Sequence, residues 1–133
     1  MKQVIQSHKD LIVWNKAMEL VEKIYLATQQ FPREEQYGIT SQMRRSSVAI
    51  PSNIAEGYHR HHLKEYVQFL YIAKSSACEL ETLLNISTKL KYLNNSEIAE
   101  LNGLLEQILK MLTALINKLK HFKRIGYNLT SKP

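Results

Sequence analysis

The stretch IAELNGLLEQILKMLTALINKLKHF, residues 98–122, has an apolar residue at every third or fourth position. An α-helix has 3.6 residues per turn, so this spacing places the apolar side chains on one face. The residues of that face are Ile98, Leu101, Leu105, Ile108, Leu112, Leu115, Leu119 and Phe122. Gly103 weakens the helix by up to about 1 kcal/mol relative to alanine, which the leucine-rich face can offset. The stretch therefore predicts a long amphipathic helix that packs against other helices.

The same spacing occurs three more times upstream, which predicts helices at about residues 11–30, 39–58, 62–92 and 96–121. The predicted packing face of the first helix is Leu11, Trp14, Met18, Val21, Tyr25 and Thr28. That of the second is Met43, Ser47, Ile50, Ile54 and Tyr58. That of the third is Leu63, Tyr66, Leu70, Ala73, Ala77, Leu80, Leu84 and Ser87. Four such helices with short connections predict an all-α, up-down-up-down antiparallel four-helix bundle.

Local signals mark the predicted helix ends. Asp10 is a candidate N-cap of the first helix, and Pro32 ends that helix because proline disfavours helical geometry in the preceding residue. The polar run Asn94–Glu97 predicts a turn and a new helix start. The tail, residues 123–133, has no helical period and contains Gly and Pro, so we expect it to be mobile. The whole chain, residues 1–133, is then one domain.

Three of the predicted helices have further apolar residues beside their packing face. These are Val13, Ala17, Leu20, Ile24, Phe69, Ile72, Leu83, Ile86, Leu104, Met111 and Ile116. A small bundle needs one apolar stripe per helix, and large exposed apolar patches usually mark protein contacts. We therefore expect the protein to self-associate. The alternative is a broad core within a single chain.

Composition restricts the class of protein. The 133-residue chain has no apolar run long enough to span a bilayer, and its first residues do not resemble a signal peptide, so we expect a cytoplasmic protein without a membrane partner. The single cysteine, Cys78, lies in an apolar helical pattern and is predicted to be a buried, inert thiol. The formal net charge of +6 permits a nucleic-acid partner but does not demonstrate one.

Residues 44–57, RRSSVAIPSNIAEG, combine charged, polar and special residues in one predicted helix. Arg45, Asn53 and Glu56 recur at helical spacing on one side. We interpret them, together with Gln42, as a hydrogen-bonded network that sets the register of the helix. Gly57 either lets a neighbouring backbone approach closely or ends the main helical run.

The sequence predicts no enzyme, metal or cofactor site. Glu56 and His59 form one Glu-x-x-His unit, whereas di-iron bundles need two such units and two more glutamates. We expect the histidines at 59, 61 and 62 to be solvated. No phosphate-binding glycine loop, nucleophile elbow or zinc-type cysteine spacing occurs.

Basic residues are the remaining candidates for function. The predicted nucleic-acid-binding residues are Arg44, Arg45, Arg60, Lys118, Lys120, Lys123 and Arg124. They would contact phosphates without reading the base sequence, and symmetry in an oligomer would repeat each weak contact. The alternatives are a merely solvated basic face, or a protein-interaction scaffold that binds no nucleic acid directly.

Several segments together resemble a known family. They are Asp10-Leu11 with Trp14, Lys16-Ala17 and Leu20; Ile24-Tyr25 with Thr28 and Phe31-Pro32; Glu35 with Tyr37-Gly38; Gln42 with Arg44-Arg45-Ser46; residues 50–57, IPSNIAEG; Arg60; and Ile72-Ala73-Lys74 with Glu79-Leu80-Glu81. Over about residues 10–120 the chain resembles the four-helix-bundle proteins encoded in intervening sequences of bacterial 23S ribosomal RNA genes. That family includes the accessory variability proteins of diversity-generating retroelements.

This resemblance implies a four-helix bundle that assembles as a homopentamer. For the retroelement branch it also implies a basic surface that engages RNA or DNA and a partner reverse transcriptase. For the intervening-sequence branch it implies no established biochemical activity. The chain departs from the family pattern at Ser75, where glycine is expected, and at the three histidines that flank Arg60.

Overall fold

The structure, a computed structural model, describes residues 4–125 and contains four α-helices in that range. The helices are α1 (Ile12–Thr28), α2 (Ile39–Tyr58), α3 (Leu63–Lys89) and α4 (Asn95–Arg124). Short 3₁₀ turns occur at His8–Asp10 and Arg33–Glu35. No strand occurs in the described part of the chain, so the predicted all-α class is confirmed. None of the described helices is long and apolar enough to cross a membrane.

The helices form a four-membered bundle in which each one packs against two neighbours. Helices α1 and α3 both pack against α2 and α4. Lys23, in the second half of α1, pairs with Glu100 near the start of α4, so these two helices run in opposite directions. Helices that follow one another in the chain are joined by short connections, as in an up-down-up-down bundle.

The predicted packing faces of α2 and α3 are confirmed, because every residue assigned to them is buried. The face of α4 is also confirmed. Its members Leu101, Leu105, Ile108, Leu112 and Leu119 are buried. The other three, Ile98, Leu115 and Phe122, are partly buried against the same core.

The predicted packing face of α1 is wrong over most of its length. Ala17, Leu20 and Ile24 are fully buried, whereas Met18 is 44% exposed and Tyr25 is 40% exposed. Apolar residues occur on both stripes at helical spacing, so periodicity alone could not choose between them. The choice is made by α2 and α4, whose apolar faces meet the Leu20 side of α1.

The expectation of surplus apolar surface also needs correction. Seven of the eleven residues in question are buried in the core of the single chain, namely Val13, Ala17, Leu20, Ile24, Leu83, Leu104 and Ile116. Only Ile72 and Ile86 of that set are exposed. Apolar surface is instead found on the outer side of α1, where Ile12 is 63% exposed and Leu26 is 56% exposed.

Two details of the helix ends differ from the prediction. Asp10 does not cap α1; its carboxylate accepts the backbone N–H groups of Gln6 and Ser7 and closes the 3₁₀ turn before the helix. Helix α4 continues to Arg124, so residues 123 and 124 belong to the helix and not to a tail. The rest of the predicted tail, residues 126–133, lies outside the described residues.

The start of α4 follows the sequence signal. Asn94 Oδ1 accepts the backbone N–H of Glu97 at 2.8 Å, and Glu97 Oε1 accepts the backbone N–H of Asn94 at 3.0 Å. This reciprocal capping box satisfies two N–H groups that the helix itself cannot pair.

The prediction of a buried Cys78 is wrong, because this thiol is exposed on α3. The buried stripe of α3 passes through Ala77 and Leu80. Each step along a helix turns the side chain by about 100°. Cys78 therefore points away from the stripe that contains its neighbour.

Gly57 marks a close approach of α2 to α3. A Cβ at this position would lie 2.8 Å from Phe69 Cβ and 3.1 Å from the carbonyl oxygen of Tyr66. The helix runs one residue further, to Tyr58. Of the two interpretations, close backbone approach is the one that the packing supports.

Candidate nucleic-acid interface

One end of the bundle brings together the amino ends of α1 and α3 and the carboxyl ends of α2 and α4. His8, just before α1, contacts His59, just after α2. Lys118 of α4 lines a groove of about 350 Å³ together with residues 10–13 at the start of α1. We call the cationic residues at this end the basic end of the bundle: Lys9, Arg60, Lys64, Lys118, Lys120, Lys123 and Arg124.

The carboxyl end of α4 contributes most of this charge. Residues 111–124 contain four cations and no Asp or Glu. Lys118, Lys123 and Arg124 are exposed to solvent. Cations in the last turn of a helix also interact favourably with its macrodipole, so Lys123 and Arg124 stabilise α4 whether or not a ligand binds.

Lys120 is held against α3. Its Nζ donates a hydrogen bond to Tyr71 Oη and lies 5.0 Å from the centroid of the Tyr71 ring. This contact orients the ammonium group along the outer surface of α3 and α4.

Arg60 is positioned by two contacts. Its Nη2 donates to Glu56 Oε2 at 2.9 Å, and its guanidinium carbon lies 4.7 Å from the centroid of the Phe69 ring. The Glu56 carboxylate offsets part of the Arg60 charge. Arg60 therefore presents less net positive charge to solvent than the exposed cations of α4.

The structure does not bring the predicted polar network together. Glu56 pairs with Arg60, and Asn53 Nδ2 donates to the backbone carbonyl of Ala49 at 2.7 Å. Gln42 and Arg45 are exposed on α2. No hydrogen bond joins these four side chains within residues 4–125. Helical spacing places these residues near one face, but Asn53 and Glu56 have other partners, and Gln42 and Arg45 are exposed to water.

Arg44 belongs to a different part of the molecule. Its Nε donates to Thr28 Oγ1 at 2.9 Å, and its guanidinium carbon lies 4.7 Å from the centroid of the Tyr25 ring. These contacts tie α2 to the carboxyl end of α1. Arg44 and its neighbour Arg45 precede Arg60 by 15 or more residues, which corresponds to about 22 Å or more along a helix. The seven predicted cations therefore form two separate groups.

Sequence reasoning missed Lys9 and Lys64, which are exposed at the basic end. Both are isolated in the sequence, so neither belongs to a visible charge run. The predicted antiparallel topology was the available signal, because it places the start of α1 and the α2–α3 connection at the end where α4 finishes.

Aromatic rings at the basic end are paired with the chain's own cations. Lys118 Nζ lies 5.8 Å from the centroid of the Phe122 ring. In the same way, Arg60 lies over the Phe69 ring and Lys120 lies over the Tyr71 ring. A base that stacked on one of these faces would have to displace a cation. The geometry favours contacts with phosphates over contacts with bases.

The described histidines, cysteine and acids do not assemble a metal centre. No group of three or more such side chains in residues 4–125 converges on a common point. Glu56, the acid of the Glu-x-x-His unit, is instead engaged by Arg60.

A family model described as the 23S rRNA-intervening sequence protein matches residues 9–114. The chain belongs to this family. The resemblance drawn from the sequence motifs is therefore confirmed. No curated protein matches this chain.

The fold of this 23S rRNA-intervening sequence protein is similar to that of a crystal structure of a protein with unknown function from the S23 ribosomal protein family of Bacteroides thetaiotaomicron. The TM-score is 0.72 at 23% sequence identity, and the match covers 79% of this chain and 98% of the other. At this identity the similarity supports the fold and not a shared activity.

Proposed function

We propose that this 23S rRNA-intervening sequence protein is a non-enzymatic, cytoplasmic, homopentameric bundle that binds structured RNA or DNA through its basic end. The observation that supports binding is the carboxyl end of α4, with four cations and no carboxylate in residues 111–124. The family resemblance supports the pentamer. No cofactor has a role in this proposal.

The binding would be electrostatic. Lysine and arginine side chains that neutralise phosphates release condensed counterions, and this release makes affinity fall steeply with salt. A single basic end offers few contacts, so one subunit would bind weakly. An oligomer repeats the same contacts by symmetry and raises the effective concentration of the second and later contacts.

Replacing Lys118, Lys123 and Arg124 by glutamine is expected to weaken binding of an RNA duplex by about tenfold and to flatten the salt dependence by about two to three phosphate contacts. Lys120 is kept, because its loss would also remove the contact with Tyr71. Fluorescence anisotropy over a series of salt concentrations measures both quantities.

The matched control is the variant R33Q/K89Q/K91Q. It removes the same number of charges from exposed residues at the opposite end of the bundle. We expect it to bind within about twofold of wild type, since these residues are remote from the basic end. Absence of binding at low salt, or equal weakening in both triple variants, would contradict the proposal.

A second candidate function is a protein-interaction scaffold, in which charge serves only solubility. The observation that favours it is the apolar outer side of α1, where Ile12, Met18, Tyr25 and Leu26 are exposed. Exposed apolar patches usually mark contacts with protein. The occupant would be another copy of this chain or a partner enzyme, for which the resemblance suggests a reverse transcriptase.

The double variant M18E/L26E is expected to convert an oligomer to the 15.5 kDa monomer, because two buried carboxylates would be desolvated without partners at an interface on α1. Light scattering after size-exclusion chromatography measures the mass. L90E, at an exposed apolar residue just after α3, serves as the control. A wild type that is monomeric at micromolar concentration would contradict self-association, and dissociation by L90E alone would place the interface elsewhere.

A further inference from the structure

All five histidines of the chain lie at the basic end of the bundle. His8 lies in the first 3₁₀ turn, and His121 lies in the last turn of α4. The other three, His59, His61 and His62, lie in the connection between α2 and α3. Imidazole is the side chain whose ordinary pKa allows its charge to change near neutral pH. The charge of this end can therefore increase as the pH falls.

The contacts divide these histidines into two kinds. His8 Nδ1 and His59 Nε2 are 2.9 Å apart, and their rings meet at 83°. Such a bond needs a lone pair on one of the two nitrogens, so protonating both would break it. The pKa of His8 is lowered below its usual value, most of all by burial and to a smaller extent by nearby His59 and Lys9. His8 therefore binds a proton less readily than a fully solvated imidazole does.

His61 and His62 are both exposed, and they immediately follow Arg60. Both rings are open to solvent and are therefore accessible to a ligand. They lie at the same end of the bundle as the exposed cations Lys9 and Lys64.

The other charged and titratable groups around this connection are few. On the 3₁₀ turn, the Asp10 carboxylate is bonded to backbone N–H groups beside Lys9. On α2, Glu56 is paired with Arg60, and the buried Tyr58 stays neutral because burial and nearby Asp10 raise its pKa. On α3, Lys64 and Glu65 lie in the first turn. Trp14 of α1, which packs edge-on against His8, does not titrate.

We propose that the affinity of the basic end for a nucleic-acid backbone increases as the pH falls through the range in which histidine titrates, because His61 and His62 become additional phosphate contacts. This inference rests on the proposed function and concerns the regulation of the same site. The His8–His59 pair contributes less, since its hydrogen bond is retained only while one nitrogen is unprotonated.

The size of the effect follows from counterion release. Each additional neutralised phosphate steepens the salt dependence by about 0.7 to 0.9 in the logarithmic slope. Two added contacts per chain predict a rise in affinity of about five- to tenfold at low salt between about pH 7.5 and pH 5.5. If protonation favours duplex binding, then by linkage duplex binding must take up protons.

The experiment measures the dissociation constant of a fluorescent RNA duplex of about 20 base pairs at these two pH values and constant ionic strength. For wild type, H61Q/H62Q and H8Q, the dissociation constant at the lower pH is compared with that of the same protein at the higher pH. We expect the ratio of the two constants to fall from about five- to tenfold in wild type to about half of that value or less in H61Q/H62Q, in which His121 and the His8–His59 pair remain. H8Q is expected to keep at least about half of the wild-type response, because its loss leaves both exposed imidazoles in place.

Isothermal titration calorimetry in two buffers of different ionisation enthalpy gives an independent readout. Proton uptake on duplex binding is expected for wild type and is expected to be smaller in H61Q/H62Q. A wild-type affinity that does not change with pH overturns the inference, as does an equal pH response in H61Q/H62Q. Binding that is absent at the higher pH and present at the lower one supports the inference and overturns the proposed function at neutral pH. Absence at both overturns both.

Discussion

Leu20→Ala is expected to lower the free energy of unfolding by about 2–5 kcal/mol. Leu20 of α1 is fully buried against the neighbouring helices, so truncation removes apolar contacts and leaves a cavity. The neighbouring Met18→Ala is expected to change the free energy by less than about 0.5 kcal/mol, since Met18 is on the exposed side of α1. Urea denaturation followed by circular dichroism, at one protein concentration, measures both variants.

This pair of variants tests the orientation of α1 directly. The spacing of apolar residues favoured the Met18 stripe as the packing face, whereas the structure buries the Leu20 stripe. A larger loss of stability in M18A than in L20A would reverse the orientation found here. Both variants are measured at a protein concentration at which light scattering shows the monomer, so that an interface on α1 does not contribute.

Gly57→Ala is expected to destabilise the protein by about 1–3 kcal/mol, although alanine is the better helix former. The added Cβ would lie 2.8 Å from Phe69 Cβ, a distance that requires movement. Phe69 Cβ is fixed to the backbone of α3, so a rotamer change cannot relieve the overlap. The tight contact between α2 and α3 would have to open.

Gly103→Ala is the matched control in α4. A Cβ at residue 103 meets no atom within 4 Å, so only helix propensity changes. We expect a stabilisation of up to about 1 kcal/mol, measured in the same urea titration. If both variants shift stability in the same direction and by the same amount, close packing at Gly57 does not limit the approach of the two helices.

The candidate site could be predicted only in part. The cations at the end of α4 are adjacent in the sequence, and a helix keeps such neighbours together. Lys9 and Lys64 are separated by more than fifty residues and meet the same end only through antiparallel packing. Arg44 was predicted to belong to the site as one of three arginines around the second helix, but it contacts Thr28 and Tyr25 in another part of the molecule.

The sequence by itself determined the helices, their number and three of their four packing faces. These depend on local periodicity, which a helix converts into a face without help from the rest of the chain. Only the tertiary structure decided which stripe of α1 is buried, that Cys78 is exposed, and which cations share an end of the bundle. Those outcomes depend on which surfaces the neighbouring helices cover, and burial is a property of the packed bundle.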